Sequence, residues 1–395
     1  MSVRVPVFLS VLLGVSAALL GSHCGSATAA SPQVEAVSQA ASVEPIQVAL
    51  SPPPPPPAAA VATSGHLSIR GSDILDPSGR PILLRGWNWG HWGKAQPQDA
   101  ADNASQGANV VRIPLRWWGH YERPGIDARA ESAPMLLDPA HLQMLDANVQ
   151  AASRAHLWIV LFIDSDCGQN GTQNPEQVQY CDPSHRYPAG HNFFTDRDER
   201  ARFIALWRFI ATRYKDTPYL GMFEPLPEPG GPDTPPADIA AFYAEVTNAI
   251  RQVAPGIPFL LGGHHYRAQQ LETVYNPQWH DVIYTGNLFM HSGGGPKTGV
   301  GGVDERVRDL VQFRDRHRVP VFVQQVGVRT SDDDASLSSL KAVLGSLVRE
   351  RIGFTYWQYR SNDYRRSYGA VVEEKDGRWT TRTPTLQAVS SFFKN

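Results

Sequence analysis

Eight short apolar runs, each followed by a longer stretch of mixed character, constrain this chain more than any other feature. The runs are Pro81–Trp87, Asn109–Ile113, Leu157–Ile163, Leu220–Phe223, Pro258–Leu261, Val282–Thr285, Val319–Val323 and Phe354–Trp357. Most are nearly continuous in apolar residues, which is the pattern of strands buried on both faces. Amphipathic stretches lie between them: Ala140–Ala155, Asp198–Tyr214, Pro236–Val253, Asp304–Arg318 and Ser336–Arg351. Eight strand–helix repeats predict an α/β domain of (β/α)8 barrel type. An open doubly wound sheet is the competing arrangement. The first run is not followed by a Gly-rich phosphate loop, which argues against a nucleotide-binding version and against a nucleotide partner. Ahead of the first run, His66–Asp76 and the turn Pro77-Ser78-Gly79 predict a small hairpin closing the barrel floor.

The flanks read differently from this core. Arg4 supplies a short positive region, Val5–Leu20 is apolar, and Ala27-Thr28-Ala29 is an A-x-A cleavage site. Residues 1–30 are therefore expected to be a signal peptide, and the mature protein to be periplasmic or secreted. An uncleaved membrane anchor is the alternative, but the apolar run is short for a span. A lipoprotein reading at Cys24 fits poorly with His23 and Gly21. Residues 31–64 are mostly Ala, Pro, Val, Ser and Gln and include the run Pro52–Pro57. Such a segment cannot bury a core and reads as an extended linker. Residues 65–395 then form the single domain.

Formal charge is −2 in 395 residues, with no basic stripe, so nucleic acid is not expected as a partner. A monomer is the expectation. After export, Cys167 and Cys181 are the two remaining cysteines. Oxidising conditions favour a disulfide between them over two free thiols. It would close a loop of about 15 residues, worth roughly 3 kcal/mol in the chain-entropy model. Gly263-His264-His265-Tyr266 has no acidic residue nearby to complete a ligand set, so no metal is expected and no cofactor is called for. Asp332-Asp333-Asp334 lacks calcium-loop spacing and reads as a helix start. Gly293-Gly294-Gly295 with Gly299, Gly301 and Gly302 reads as a mobile loop, a lid over a cleft.

In such barrels chemistry sits where strands end. After the fourth run the chain reads Phe223-Glu224-Pro225-Leu226-Pro227-Glu228-Pro229. The prolines remove ladder donors, so the strand must stop there and present Glu228 at the rim. A buried glutamate at that place suits general acid catalysis; the alternative is a carboxylate tied to an arginine. The loops Gly86–Gly93 and Arg116–Tyr121 add a dense aromatic rim that includes Trp89 and Trp118. Ten tryptophans in the chain suit sugar stacking and core packing equally.

Taken in order, Gly86-x-Asn88-Trp89, Val111-Arg112-Ile113-Pro114, Phe223…Glu228-Pro229, Pro320-Val321-Phe322-Val323…Gly327 and Gly353-Phe354-Thr355-Tyr356-Trp357 resemble the landmarks of glycoside hydrolase family 5, the cellulase family of clan A. The resemblance implies a retaining β-glycosidase acting on a β-linked glucan or related polysaccharide. It places Glu228 as acid/base, Arg112 beside the nucleophile, and Trp357 as a sugar platform. Departures accompany the match. Pro227 stands where the family has an asparagine. Gln325 of Gln324-Gln325-Val326-Gly327 occupies the nucleophile's place, and Asn287-Leu288-Phe289 replaces a His-x-Tyr. A histidine expected after the third strand falls near Asp164 or Ser165.

A retaining mechanism needs two carboxyl groups about 5–5.5 Å apart, and a glutamine amide is a poor nucleophile. Three readings stay open. One is a hydrolase in which Asp164 or Asp166 serves as base, at the roughly 6.5–9.5 Å separation of inverting enzymes. The second is a catalytically inactive carbohydrate-binding barrel. The third is substrate-assisted hydrolysis, disfavoured because Pro227 stands where a second carboxylate would be needed.

Overall fold

The structure, a computed structural model, describes residues 65–89, 95–116, 131–133, 136–137, 139–164, 194, 197–230, 234–264, 268–291, 300–329, 334–361 and 371–394. The expected signal peptide and linker, Trp118, Asp166, Cys167 and Cys181 lie outside these residues.

Eight parallel strands form the barrel: β1 (Arg85–Asn88), β2 (Val110–Arg116), β3 (Trp158–Asp164), β4 (Leu220–Glu224), β5 (Phe259–Gly262), β6 (Val282–Thr285, continuing as Asn287–His291), β7 (Phe322–Arg329) and β8 (Gly353–Trp357). Each pairs with its neighbours in sequence, and β8 returns to β1 through Phe354↔Arg85 and Trp357↔Asn88. The sixth strand is broken at Gly286. Its first half pairs with β5, and its second half with β7. A bridge between Tyr284 and Val321 carries the ladder across the break. The barrel is therefore the (β/α)8 type rather than an open sheet.

The helices between strands form for the reason their sequences suggest. Pro236–Arg251 buries Ile239, Phe242, Tyr243, Val246 and Ile250, a stripe at helical spacing that faces the sheet. Asp334–Arg349 buries Leu340, Val343, Leu344 and Leu347 in the same way. Asp334 opens that helix as expected. The helix before β7 runs Val300–His317, so Gly301 and Gly302 belong to its first turn rather than to a glycine loop. Residues 292–299 lie outside the described set. Between β5 and β6 the described residues include a 3-10 segment, Ala268–Thr273.

The barrel's floor is plugged. Leu67, Ile74, Leu84, Val110, Trp158, Val160, Met222, Leu260, Ile283 and Phe322 make one buried cluster inside the strands. Leu67 and Ile74 come from the N-terminal hairpin Ser68–Arg70 with Asp73–Leu75 and its leading residue. That hairpin turns at Gly71, φ 59°, and not at Pro77–Gly79. The latter is a second turn, in which the Asp76 carboxylate accepts from the backbone N–H of Ser78 and of Arg80 at 2.9 and 3.0 Å. It lets Ile82 and Pro81 pair back onto Ile74 and Leu75. For this reason β1 starts at Arg85, later than its apolar run.

Candidate active site

Strand side chains alternate in direction, so the residues two beyond the plug point inward one layer higher. That layer holds Arg112, Phe162, Glu224, Thr285, Gln324 and Thr355, above an apolar floor and below the strand ends. It is polar, and it is held together by specific bonds.

Arg112 and Glu224 form a fully buried ion pair, Nε to Oε2 at 2.5 Å, with both side chains at 0% exposure. The Arg112 guanidinium also stacks on Phe162, 3.5 Å from the ring centroid. Arg112 pairs with Glu224, one of the two acids noticed after the fourth run. The Arg112 Nη atoms have no hydrogen-bond partner among the described residues.

Glu228 follows β4, partly exposed at the rim. Its backbone is left-handed, φ 47°, an expensive conformation for a residue with a side chain, and more so before proline. The loop that imposes it is clamped from behind. Trp207 Nε1 donates to the Pro225 carbonyl at 2.9 Å. The buried Tyr243 hydroxyl lies 3.3 Å from the Leu226 carbonyl and 3.1 Å from that of Gly262. Burial, with Glu224 nearby, raises the Tyr243 pKa well above that of a free phenol, so it stays a donor.

A chain of side chains reaches Glu228 from the opposite wall. Thr285 Oγ1 donates to Gln324 Oε1 at 2.7 Å. Gln324 Nε2 donates to Asn287 Oδ1, and Asn287 Nδ2 donates to Glu228 Oε1. The Gln324 carbonyl accepts from Asn88 Nδ2 at 3.1 Å and from Thr355 Oγ1 at 2.5 Å. A bulge lies between Val323 and Val326 of β7, and both valines sit in the core under the helices. The two glutamines between them therefore both belong to the inner side. Gln325 is 5% exposed, in register with Asn287.

The other expected positions are mixed. Phe289 lies on the inner side of the sixth strand, with its ring 3.2 Å from where a Cβ on Gly327 would stand, so the glycine makes room for it. Trp357 ends β8, two residues beyond the inward Thr355, and is 2% exposed. Asp164 is the last residue of β3, in register with Arg116; its side chain lies outside the described set. Trp89 is a correction. It was expected on a sugar-binding rim, but it is wholly buried in the core under the helices, and its Nε1 donates to Asn103 at 2.8 Å. The strand ends at Asn88, so Trp89 turns outward against the helix Asp99–Ser105. Trp87 is likewise core, packed edge-on to Tyr356 and Phe393. Gln324, Thr285 and Thr355 were not singled out from sequence. The available signal for Gln324 and Thr285 was their place two residues beyond the plug residues Phe322 and Ile283.

A (β/α)8 barrel with a carboxylate held at the end of its fourth strand and a polar layer beneath is the frame of a glycosidase-type barrel. The cellulase family, glycosyl hydrolase family 5, matches residues 75–363, and the chain belongs to that family. Relatives include mannan endo-1,4-beta-mannosidase 3 of Oryza sativa subsp. japonica, 25% identical over 233 residues, covering 54% of this chain and 47% of that one. A beta-xylosidase of Phanerodontia chrysosporium is 23% identical over 242 residues, covering 51% and 47%. The chain thus spans about half the length of the curated relatives it matches. Among solved structures, an endogalactoceramidase superposes with TM-score 0.66 at 16% identity, covering 82% of this chain and 84% of that one. Thermotoga maritima Cel5A with mannotriose gives 0.58 at 20%, covering 78% and 97%. These likenesses concern the fold.

Proposed function

We propose that this chain is an exported glycoside hydrolase that cleaves a β-linked glucan or related polysaccharide, with Glu228 as general acid/base and a second catalytic group that is not the family's usual glutamate. The observation that carries the reading is the fixed pose of Glu228: a rim carboxylate on a strained backbone, clamped from behind and bonded from across the cleft. Such effort is not needed for a solvated surface acid. The relatives' names support a β-linked polysaccharide, since they specify mannan, xylose and glucan chemistry in one family. Arg112, buried against Glu224, supports the site from beneath. Asn287, Phe289 and Trp357 line the strand ends where a sugar ring would lie.

Gln325 takes the nucleophile's place in this reading. Asp164 and Asp166, at and beyond the end of β3, are the candidates for a base that activates water while Glu228 protonates the leaving oxygen. The neutral Gln325 equally favours a second reading, a barrel that binds polysaccharide without turnover.

Reducing-sugar release from β-glucans, mannans and xylans separates the two. Hydrolysis by the wild type and a drop of about 10²–10⁴-fold in Glu228→Gln is expected. Equal turnover by both proteins would remove Glu228 from the chemistry. Binding of a glycan with no turnover would establish the binding barrel.

A further inference from the structure

We infer that Trp379 is a stacking platform for a sugar ring of a β-linked polysaccharide, at a place on the surface separate from the cleft that holds Glu228. The inference rests on the proposed function for its class of ligand, and it adds a second point at which the same polysaccharide is held.

Three short strands follow β8: Arg360–Ser361, Val372–Lys375 and Arg378–Thr381, side by side in that order. They are tied to the barrel where its strands end. The Tyr359 N–H donates to the Asn88 carbonyl at 2.9 Å, and the Val371 and Val372 N–H groups donate to the Gln358 and Tyr359 carbonyls at 3.1 and 2.7 Å. The last two strands form a tight hairpin. Its turn residues Asp376 and Gly377 are both left-handed, φ 52° and 76°, a geometry that matches the twist of the flanking strands. Arg360, Val372 and Thr381 share one position across the ladder, and Trp379 lies two residues before Thr381. Arg360 and Trp379 therefore stand on the same face of this small sheet.

On that face the Trp379 ring is backed by a cation. The Arg360 guanidinium carbon lies over the ring, 4.8 Å from its centroid. Arg360 is itself fixed. Its Nε and Nη2 donate to the two carboxylate oxygens of Asp99 at 2.9 and 2.5 Å, and Asp99 is wholly buried. A bidentate pair sets the plane of the guanidinium as well as its position. One face of the indole is thereby taken, yet Trp379 remains 40% exposed. What it turns to solvent is the other face and the ring edge. Asp99 also fixes the direction in which the platform looks. It opens the helix Asp99–Ser105, part of the outer ring of helices. The face that carries Arg360 and Trp379 is thus turned toward that ring and not over the barrel axis.

The surroundings select the ligand. Among the described residues Trp379 alone is a large hydrophobic side chain left exposed. All four residues of its strand are exposed; its neighbours there are Arg378, Thr380 and Thr381, and Glu374 stands opposite it. A protein partner needs an apolar centre of several side chains and about 800 Å² on each side. A single flat ring among hydrogen-bonding groups does not supply that. It fits a β-linked pyranose, whose axial C–H bonds form an apolar face while the hydroxyls project from its rim, within reach of polar neighbours. Because Arg360 and Asp99 already hold the ring, little side-chain freedom is lost on binding.

Affinity electrophoresis of the full chain, in the cold, through gels that contain a β-glucan, a mannan or a xylan measures this binding directly. Wild type is expected to be retarded by at least one of the three. Trp379→Leu keeps an apolar cover over Arg360 but has no flat face, and it is expected to lose about tenfold in affinity. Trp379→Phe keeps a flat ring and is expected to stay within about threefold of wild type. Retardation of Trp379→Leu equal to that of wild type overturns the inference. So do equal losses in Trp379→Leu and Trp379→Phe, which would make the side chain a mere cover for the ion pair, and a wild type that none of the three polysaccharides retards. A wild-type dimer in sedimentation that Trp379→Leu dissolves overturns it as well, by giving the ring to a second copy of the chain. Hydrolysis lost in Glu228→Gln keeps the functional reading whatever the gels show. Hydrolysis retained there sinks that reading and leaves the gels to decide the role of Trp379.

Discussion

At the residue scale the Arg112–Glu224 pair is the most exacting feature. Both groups are fully buried, and such a pair gains little over a well-packed apolar pair of the same volume. Removing one member is another matter. Glu224→Gln should lower unfolding stability by about 3–5 kcal/mol, because the guanidinium is left charged in a dry layer. Arg112→Met with Glu224→Leu should recover most of that loss, measured by urea unfolding in a double-mutant cycle. A single-variant loss below about 1 kcal/mol would mean that water reaches the pair. Glu228 was legible in sequence because prolines at 225, 227 and 229 dictate where β4 must stop. Its partners were not, because the row of side chains that reaches it joins positions far apart in the chain (228, 285, 287 and 324) that only the closed barrel brings together.

Elements place these residues, and the loop after β4 depends on two helices. Its prolines cannot donate, and the carbonyls of Pro225 and Leu226 are left facing inward. Trp207, from the helix Arg197–Tyr214, and Tyr243, from Pro236–Arg251, meet them. Tyr243→Phe keeps the shape and removes the hydroxyl that bonds the Leu226 and Gly262 carbonyls. It should cost about 1–3 kcal/mol in denaturant unfolding and lower turnover by loosening the Glu228 backbone. A variant of unchanged stability would show that Leu226 and Gly262 find other donors. The helices themselves could be read from periodicity, as the stripe Ile239, Phe242, Tyr243, Val246 and Ile250 illustrates. The bulge in β7 could not. An apolar–polar pattern counts strand residues but does not reveal an extra one, and the bulge is what puts Gln324 and Gln325 on the same side.

For the whole molecule, the decisive feature is the division of the barrel interior into an apolar plug and a polar layer. The plug is completed by the N-terminal hairpin, and Leu67 and Ile74 are its contribution. Leu67→Ala is expected to cost about 2–5 kcal/mol, read as a fall in urea midpoint with an unchanged slope. Insensitivity would show that the floor seals without the hairpin. Residues 1–64 are proposed to export the domain and hold it at a distance, and Cys167 with Cys181 to staple one loop.

The sequence by itself determined the class of the fold, the strand order, the rim carboxylate and the unusual glutamine. The first three follow from period, turn chemistry and spacing, all of which are local; the glutamine stands out through the resemblance to the cellulase family. Tertiary structure alone decided which tryptophans are core, as the burial of Trp89 shows, and which acid pairs with Arg112. It also decided that Gln324 rather than Gln325 reaches toward Glu228 through Asn287. The physical reason is that burial and hydrogen-bond partnership depend on what the far side of the closed barrel presents, and no local pattern in the chain encodes that.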